Sequence, residues 1–320
     1  KMSVHGLVHD MTARAAKDAA LGAGANLKLV TSGLLDERDL KRSGALGVYI
    51  ILFAGGLGAV AATQPVQFAL GLTDWLGIFW ILAALTLAMA GVLFVTVPDK
   101  PGAAASAPLS QQLRDVAAIC RDPAFLRVMP ATGIALGSFM AIQGLWAGPW
   151  LRDVAGLAAT DVASALLMMA AGMAAGYLAW GAFSDSLGRL RIPILAVAWV
   201  GMCWYLLGML AMAVGWRDWP RLLAASFGFA GASMSLCYVV VAQLVPPHKS
   251  GRATTTLNLI IFACAFAVQW GLGAIINLWP KLGDGWPAEA HRAALMVPVA
   301  LMAAAMAWMG PLVGRHWRNR

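Results

Sequence analysis

Long stretches without a charged side chain are the feature that most constrains what this sequence can fold into. A transmembrane helix needs about 20 apolar residues, and eight runs without Asp, Glu, Lys or Arg reach that length. They do not alternate in polarity as barrel strands do, and only helices or closed barrels satisfy backbone hydrogen bonds in lipid. The eight runs are residues 44–70, 75–97, 128–149, 162–183, 192–214, 222–243, 254–278 and 293–314. The sequence therefore predicts an all-helical polytopic membrane protein with eight transmembrane helices.

The overall composition agrees with this prediction. Hydrophobic residues make up 60% of the chain and charged residues only 12%, whereas a soluble domain carries about 25% charged residues. We expect a lipid bilayer around most of the chain.

The distribution of basic residues predicts an orientation. If the loop around Asp185 is cytoplasmic, the segments on its side of the membrane hold 18 of the 23 Lys and Arg residues. This excess is typical of cytoplasmic loops, so we expect a multi-pass protein of the inner (plasma) membrane with a cytoplasmic C-terminus. The net charge of +8 is spread over these segments and does not form one compact face. A nucleic-acid partner is therefore not expected.

The charge-free runs divide the chain into four segments. Residues 1–43 are a polar cytoplasmic segment, and residues 44–97 form two helices. Residues 98–127 are a cytoplasmic linker, whose part from Gln111 to Arg127 can form a helix along the membrane surface. Residues 128–320 form a six-helix unit.

A short polar motif separates two of the apolar runs. Gly181, Asp185, Gly188, Arg189 and Arg191 have the spacing G-x-x-x-D-x-x-G-R-x-R, which predicts a tight turn between two helices. This motif resembles the cytoplasmic loop signature of the major facilitator superfamily of membrane transporters.

The order of helices fits the same resemblance. Two helices, a long inner linker and six helices resemble helices 5 to 12 of a twelve-helix member, a partial major facilitator fold. The resemblance covers residues 20–320, and residues 20–31 are expected to be the end of helix 4. Residues 144–153 also resemble the outer end of helix 7. Ser186 and Leu190 stand where the family carries basic residues. A complete family member has twelve helices, whereas this chain has eight predicted ones. We therefore expect the chain to be N-terminally incomplete and not to transport alone.

The resemblance implies a secondary active transporter that moves a small solute by alternating access. It implies that Gly181, Asp185, Gly188, Arg189 and Arg191 form a conformational latch. An alternative is that these residues only anchor the loop in the cytoplasm and cap a helix. The implied partners are a small-molecule solute and the bilayer, and a coupling ion is left open.

Uncharged polar side chains within the runs are the substrate-cavity candidates. An amide in hydrocarbon needs a partner, so each must face another helix, the interface or a water-filled cavity. Ordinary hydrogen bonding between helices is the alternative to a substrate role. The candidates are Gln143, Trp146, Gln269, Tyr238, Gln243, Asn258, Tyr49 and Gln64.

The runs contain no acid, base or metal ligand set suited to catalysis. We therefore predict no enzyme, no metal and no cofactor; the four cysteines include no C-x-x-C pair. Two other classes stay open: a non-transporting truncated membrane protein or scaffold, and an intramembrane enzyme, which the charge-free runs disfavour. The pairs Gly133 and Gly137, and Gly172 and Gly176, predict close helix packing.

Overall fold

A computed structural model of the chain describes part of its length. The described residues are 2–6, 27–32, 68–69, 71–96, 108–246 and 249–318. The first apolar run, residues 44–70, lies almost entirely outside them. Seven described helical stretches are long and apolar enough to cross a membrane, judged by length and composition. They correspond to the other seven predicted runs, and the all-helical class is confirmed for the described residues 75–96, 108–246 and 249–318.

Two strands lie near the start of the chain. Strand β1 (Met2–Gly6) pairs in parallel with β2 (Leu27–Ser32), and the register shifts between Met2 and Ser3. Parallel pairing needs a crossover of a dozen or more residues, which the 20 intervening residues supply. The expectation that residues 20–31 end a helix is wrong for Leu27 onward, where the backbone is extended and paired.

Helix α1 (Trp75–Thr96) is exposed along its described length. Its side chains are apolar except for Thr86 and Thr96, whose hydroxyls donate to the carbonyls of Leu82 and Val92 one turn back. This back-bonding satisfies the hydroxyl donors of both threonines.

The predicted linker helix is present but ends earlier than expected. Helix α2 (Leu109–Arg121) is followed at once by α3 (Pro123–Ala141), so Arg127 belongs to α3. The break lies at Asp122, whose carboxylate accepts from the backbone N–H groups of Ala124 and Phe125 at 2.9 and 3.0 Å. An Asp N-cap followed by Pro at the first helical position begins a new helix.

Six long helical stretches run back and forth between the same two ends of a bundle. A π-helical turn (Ile142–Trp146) continues α3 into α4 (Ala147–Asp153). A 3-10 turn (Ser233–Ser235) joins α7 to α8. The remaining helices are α5 (Ala159–Arg189), α6 (Ile194–Val214), α7 (Pro220–Ala232), α8 (Leu236–Leu244), α9 (Ser250–Ile276) and α10 (Ala288–Arg318). We call the two ends of the bundle the Asp115 end and the Asp153 end.

Large side chains fill the interior of the bundle. Trp150, Tyr205, Phe125 and Phe227 are fully buried. The Tyr205 hydroxyl lies 3.1 Å from the Ser138 hydroxyl, so its polar atom is paired inside the core.

The predicted glycine contacts are confirmed. A Cβ on Gly137 would lie 2.7 Å from the backbone N of Ala265, and one on Gly176 would lie 2.7 Å from the carbonyl O of Phe229. These distances bring α3 against α9 and α5 against α7, backbone to backbone. The close packing of these pairs fixes which faces remain outside.

Candidate functional site

A line of polar side chains crosses one outer face of the bundle. The Tyr238 hydroxyl donates to the Asn258 side-chain oxygen at 2.8 Å, which joins α8 to α9 at an exposed position. Tyr177 on α5 hydrogen-bonds Ser235 and lies close to Tyr238. We call Gln143, Tyr177, Tyr238 and Asn258 the polar seam.

Gln143 continues the polar seam through the π-helical turn. Its amide nitrogen lies 3.6 Å from the sulfur of Met173, one turn before Tyr177 on α5. A thioether is a weak acceptor, so the half-buried amide keeps most of its hydrogen-bonding capacity. The extra residue in a π-turn re-aims the side chains that follow it. Trp146 accordingly points to α9, where its indole N–H donates to the Gln269 carbonyl at 3.1 Å.

The other candidates do not join the polar seam. The Gln269 side chain is exposed on α9, and the residue contributes its backbone carbonyl to Trp146. Gln243 is exposed near the Asp115 end of α8. Tyr49 and Gln64 lie outside the described residues. The structure therefore brings together three of the eight predicted side chains, and no observation tests contact with a substrate.

A buried charged cluster lies at the Asp153 end. One carboxylate oxygen of Asp153 accepts from Arg152 Nε at 2.7 Å, and the other accepts from the Trp286 backbone N–H at 3.1 Å. Nε2 of His291 lies 3.1 Å from this second oxygen. Asp153 and His291 side chains are each 3% exposed. The Arg152 guanidinium also donates to the Asp284 carbonyl.

Gly285 makes room for this cluster. A Cβ there would meet the Asp153 carboxylate, so only glycine lets the loop before α10 approach so closely. Asp153 therefore fastens the loop and the start of α10 to the end of α4.

A narrow cleft lies beside His291. Its volume is about 10 Å³, and Trp146, Trp150, Leu272 and Leu295 contribute to its apolar lining. Sites for drug-sized ligands run from about 300 to 1,000 Å³. The cleft is therefore small for an organic ligand of that size.

A second cluster lies at the Asp115 end. The Asp115 carboxylate pairs with Lys249 Nζ at 3.2 Å and with the Arg252 guanidinium. The hydrogen bond from Lys249 and the charge of Arg252 hold the pKa of Asp115 below its ordinary value, against the opposing effect of burial. These pairs dock α2 across the start of α9.

The G-x-x-x-D-x-x-G-R-x-R motif is largely helical. Helix α5 continues to Arg189, so Asp185 lies within its last turns rather than in a loop. The turn itself is Leu190 to Pro193, where Arg191 has a φ of 61°. A Cβ on Gly188 would meet nothing within 4 Å, so this glycine does not admit a neighbouring backbone. The latch role of the motif stays a prediction.

The described residues include no group of three or more His, Cys, Asp or Glu side chains placed to hold a metal ion. Cys120, Cys203, Cys237 and Cys264 are free thiols.

Sequence reasoning missed both charged clusters. Asp153 and His291 are 138 positions apart, and Asp115 and Lys249 are 134 apart. One sequence signal could have indicated these clusters: an acid at a helix end beside basic residues, as in the dipeptide formed by Arg152 and Asp153. The partner across the bundle follows only from the packing.

Comparison with known proteins gives one family match. The family model described as MutL protein matches residues 1–74, which is 74 of 320 residues. No curated protein matches the chain.

This match corrects the sequence-based identification. The family that matches is not a major facilitator family, and the predicted membership is wrong. The prediction of secondary transport falls with it, as does the partner set of a small-molecule solute, a coupling ion and no nucleic acid. A physical reason is visible in the motif itself. Arginines near the C-terminus of a helix are favoured by the helix dipole and by cytoplasmic charge bias, so Arg189 and Arg191 do not require a transporter.

Proposed function

We propose that residues 75–318 form a multi-pass unit in the inner (plasma) membrane, with the Asp115 end in the cytoplasm. We propose further that this unit anchors the N-terminal segment, which matches the MutL protein model, to that membrane. If the run 44–70 also spans, the chain has eight transmembrane helices and residues 1–43 are cytoplasmic.

The exposed apolar surface of the helices carries the proposal. On α9, Leu259, Phe262, Phe266 and Trp270 are between 53% and 73% exposed. Apolar surface in water costs about 25 cal/mol per Å², whereas the same surface against lipid tails has no such cost. Helix α1 supports the same conclusion because its described side chains lie outside any protein core.

Charge at the two ends supports the orientation. Residues 108–127, 184–191, 244–246, 249–253 and 315–318, at the Asp115 end, hold nine Lys and Arg against three acids. Residues 150–161, 214–221 and 277–292, at the Asp153 end, hold five basic residues and five acidic ones. Cytoplasmic loops carry the excess of Lys and Arg, so the Asp115 end is assigned to the cytoplasm.

The contrast between the two parts of the chain supports the anchoring role. The chain begins with a parallel strand pair inside the matched residues, whereas from Trp75 onward the described regular structure is helical except for one isolated bridge. A strand pair with polar neighbours suits water, whereas a set of apolar helices suits lipid. We assign no enzymatic activity to the helical unit, because its apolar runs hold no acid or base at membrane depth.

Two matched substitutions in the full chain test the membrane location. Phe266→Lys places a charge near the middle of α9, and Leu190→Lys places one at the Asp115 end; the native side chains are similarly exposed, at 73% and 71%. A lysine at the centre of a transmembrane helix costs about 2.5–3.5 kcal/mol on insertion scales. In a protein surrounded by water, both changes would be harmless.

The measurement is the fraction of an N-terminally tagged chain that resists alkaline carbonate extraction from bacterial membranes. We expect the native chain and Leu190→Lys to stay with the membranes and Phe266→Lys to lose a large part of its integrated fraction. Release of the native chain by carbonate, or equal behaviour of the two variants, would show that the helices do not lie in lipid.

A further inference from the structure

We propose that the pair formed by Asp153 and His291 is an acid-sensitive fastening. A proton taken up by His291 releases the loop of residues 277–287 and the start of α10 from the end of α4. In the proposed orientation this end of the bundle faces away from the cytoplasm, so the fastening responds to the pH outside. The protonation itself does not depend on that orientation.

The pair joins two elements that are far apart in the sequence. Asp153 is the last residue of α4, and His291 is the fourth residue of α10. Nε2 of His291 lies 3.1 Å from the carboxylate oxygen that also accepts from the Trp286 backbone N–H at 3.1 Å. One oxygen therefore holds both the loop and the helix, and a change at His291 acts on an acceptor that the loop shares.

With a neutral imidazole, the cluster carries no net charge. Its acid, Asp153, is matched by Arg152, whose Nε donates to the other carboxylate oxygen at 2.7 Å. Nε2 of the neutral ring then donates to Asp153, because an ionised carboxylate only accepts. Protonation would add a second cation where the His291 and Asp153 side chains are each 3% exposed. Burial disfavours the charged form of an imidazole.

The cleft beside the ring offers the added charge no partner. Apart from His291 it is lined by uncharged, largely apolar side chains of the π-helical turn, α4, α6, α9 and α10. Its volume of about 10 Å³ leaves room for about one water molecule at most. Solvent therefore cannot stabilise the imidazolium while the cluster is closed.

The other charged side chains described at this end are at least partly open to water. They are Lys281, Asp284, Glu289, Arg292, Arg217, Asp218 and the pair of Asp161 and Arg221. Water solvates these groups and screens their charges. Asp153 and Arg152 therefore set the charge balance at the ring, and among the described residues no second acid contacts His291 to match a second cation.

The direction of the pH response follows from this balance. Release exposes the ring to water, where a histidine has an ordinary pKa of about 6.5. The closed cluster takes up a proton less readily than the released one, so protonation favours opening. The fastening is complete above about pH 6.5 and weakens as the pH falls below that value. One proton changes the opening equilibrium by up to about tenfold per pH unit.

Hydrogen–deuterium exchange of the full chain in detergent, read by mass spectrometry of its peptides, tests the release without reference to membrane orientation. The segment 282–292 contains the Trp286 N–H that donates to Asp153, and the segment 184–193 at the Asp115 end is the internal control. Exposed Asp and Glu side chains stay ionised at about pH 5, since their ordinary pKa values are about 3.9 and 4.3. After correction for the intrinsic pH dependence of exchange, we expect protection of 282–292 to fall about tenfold between about pH 7.5 and pH 5. It should return on neutralisation, and 184–193 should not change.

Two substitutions on α10 assign the effect to its histidine. In His291→Gln the side-chain amide can donate to Asp153 in place of Nε2 but does not titrate. His316→Gln removes a histidine from the other end of the same helix. We expect His291→Gln to keep its protection at about pH 5 and His316→Gln to lose it as the native chain does.

The native chain provides a test even if His291→Gln does not fold, because its two segments are compared in one sample. Three results would overturn the inference. They are protection of 282–292 that is unchanged or higher in acid, an equal loss of protection in 184–193, or a loss in His291→Gln that matches the native one.

Discussion

At the residue scale, burial separates ion pairs that look alike in sequence. Asp153 and Asp161 lie at the same end of the bundle, and each contacts an arginine. The Asp153 side chain is 3% exposed, whereas Asp161 and its partner Arg221 are 44% and 50% exposed. Water already solvates the exposed pair, so its net stabilisation is about 0–1 kcal/mol. Loss of Asp153 would leave the Trp286 N–H and His291 without their buried acceptor.

This difference gives a matched prediction. We expect Asp153→Ala to lower the free energy of unfolding by about 1–3 kcal/mol, the cost of leaving buried hydrogen-bonding groups unsatisfied. Asp161→Ala should change it by less than about 1 kcal/mol. Thermal unfolding in detergent, followed by tryptophan fluorescence, measures both variants. Equal destabilisation would mean that the Asp153 cluster is not the fastening described.

At the element scale, glycines set the contact between α5 and α7. A Cβ on Gly172 would collide with the Ala225 carbonyl, and one on Gly228 would collide with the Met169 carbonyl. Each helix therefore presses a glycine against the backbone of the other. An added methyl group at either glycine could be accommodated only if a whole helix moved.

Alanine substitution at two positions of α5 tests this contact. Gly172→Ala should cost about 1–3 kcal/mol through overpacking. Gly188→Ala adds the same methyl group where nothing lies within 4 Å, and should be neutral or stabilise the helix by up to about 1 kcal/mol. Circular dichroism melts in detergent give the comparison. A neutral Gly172→Ala would contradict the described packing.

The same scale shows what the sequence can predict. The apolar runs predicted seven of the described helices, because the length of a run without charge is a local property. The start of α3 was predicted five residues too late. The helix begins at Pro123, before its charge-free run of residues 128–149 does. The pairing of Tyr238 with Asn258 depends on how α8 and α9 pack, and no local pattern contains that information. The family was misassigned because glycines, an acid and arginines at a helix end have general physical causes.

At the scale of the whole molecule, the chain has two unlike parts. Residues 1–74 match the MutL protein model and include a parallel strand pair, while the rest described is a set of apolar helices. The proposed anchor explains this arrangement, and its central claim is that the two ends of the bundle lie on opposite sides of a membrane.

Labelling of one introduced cysteine at each end of the bundle, in intact cells, tests that claim most directly. Arg217→Cys lies at the Asp153 end and Arg189→Cys at the Asp115 end, and both native side chains are exposed. Cys120, at the Asp115 end, is replaced by Ser in both variants. We predict that a membrane-impermeant maleimide labels Arg217→Cys in intact cells and Arg189→Cys only after permeabilisation. Labelling of both sites only after permeabilisation would contradict a membrane-spanning bundle, and the reverse pattern would contradict its orientation.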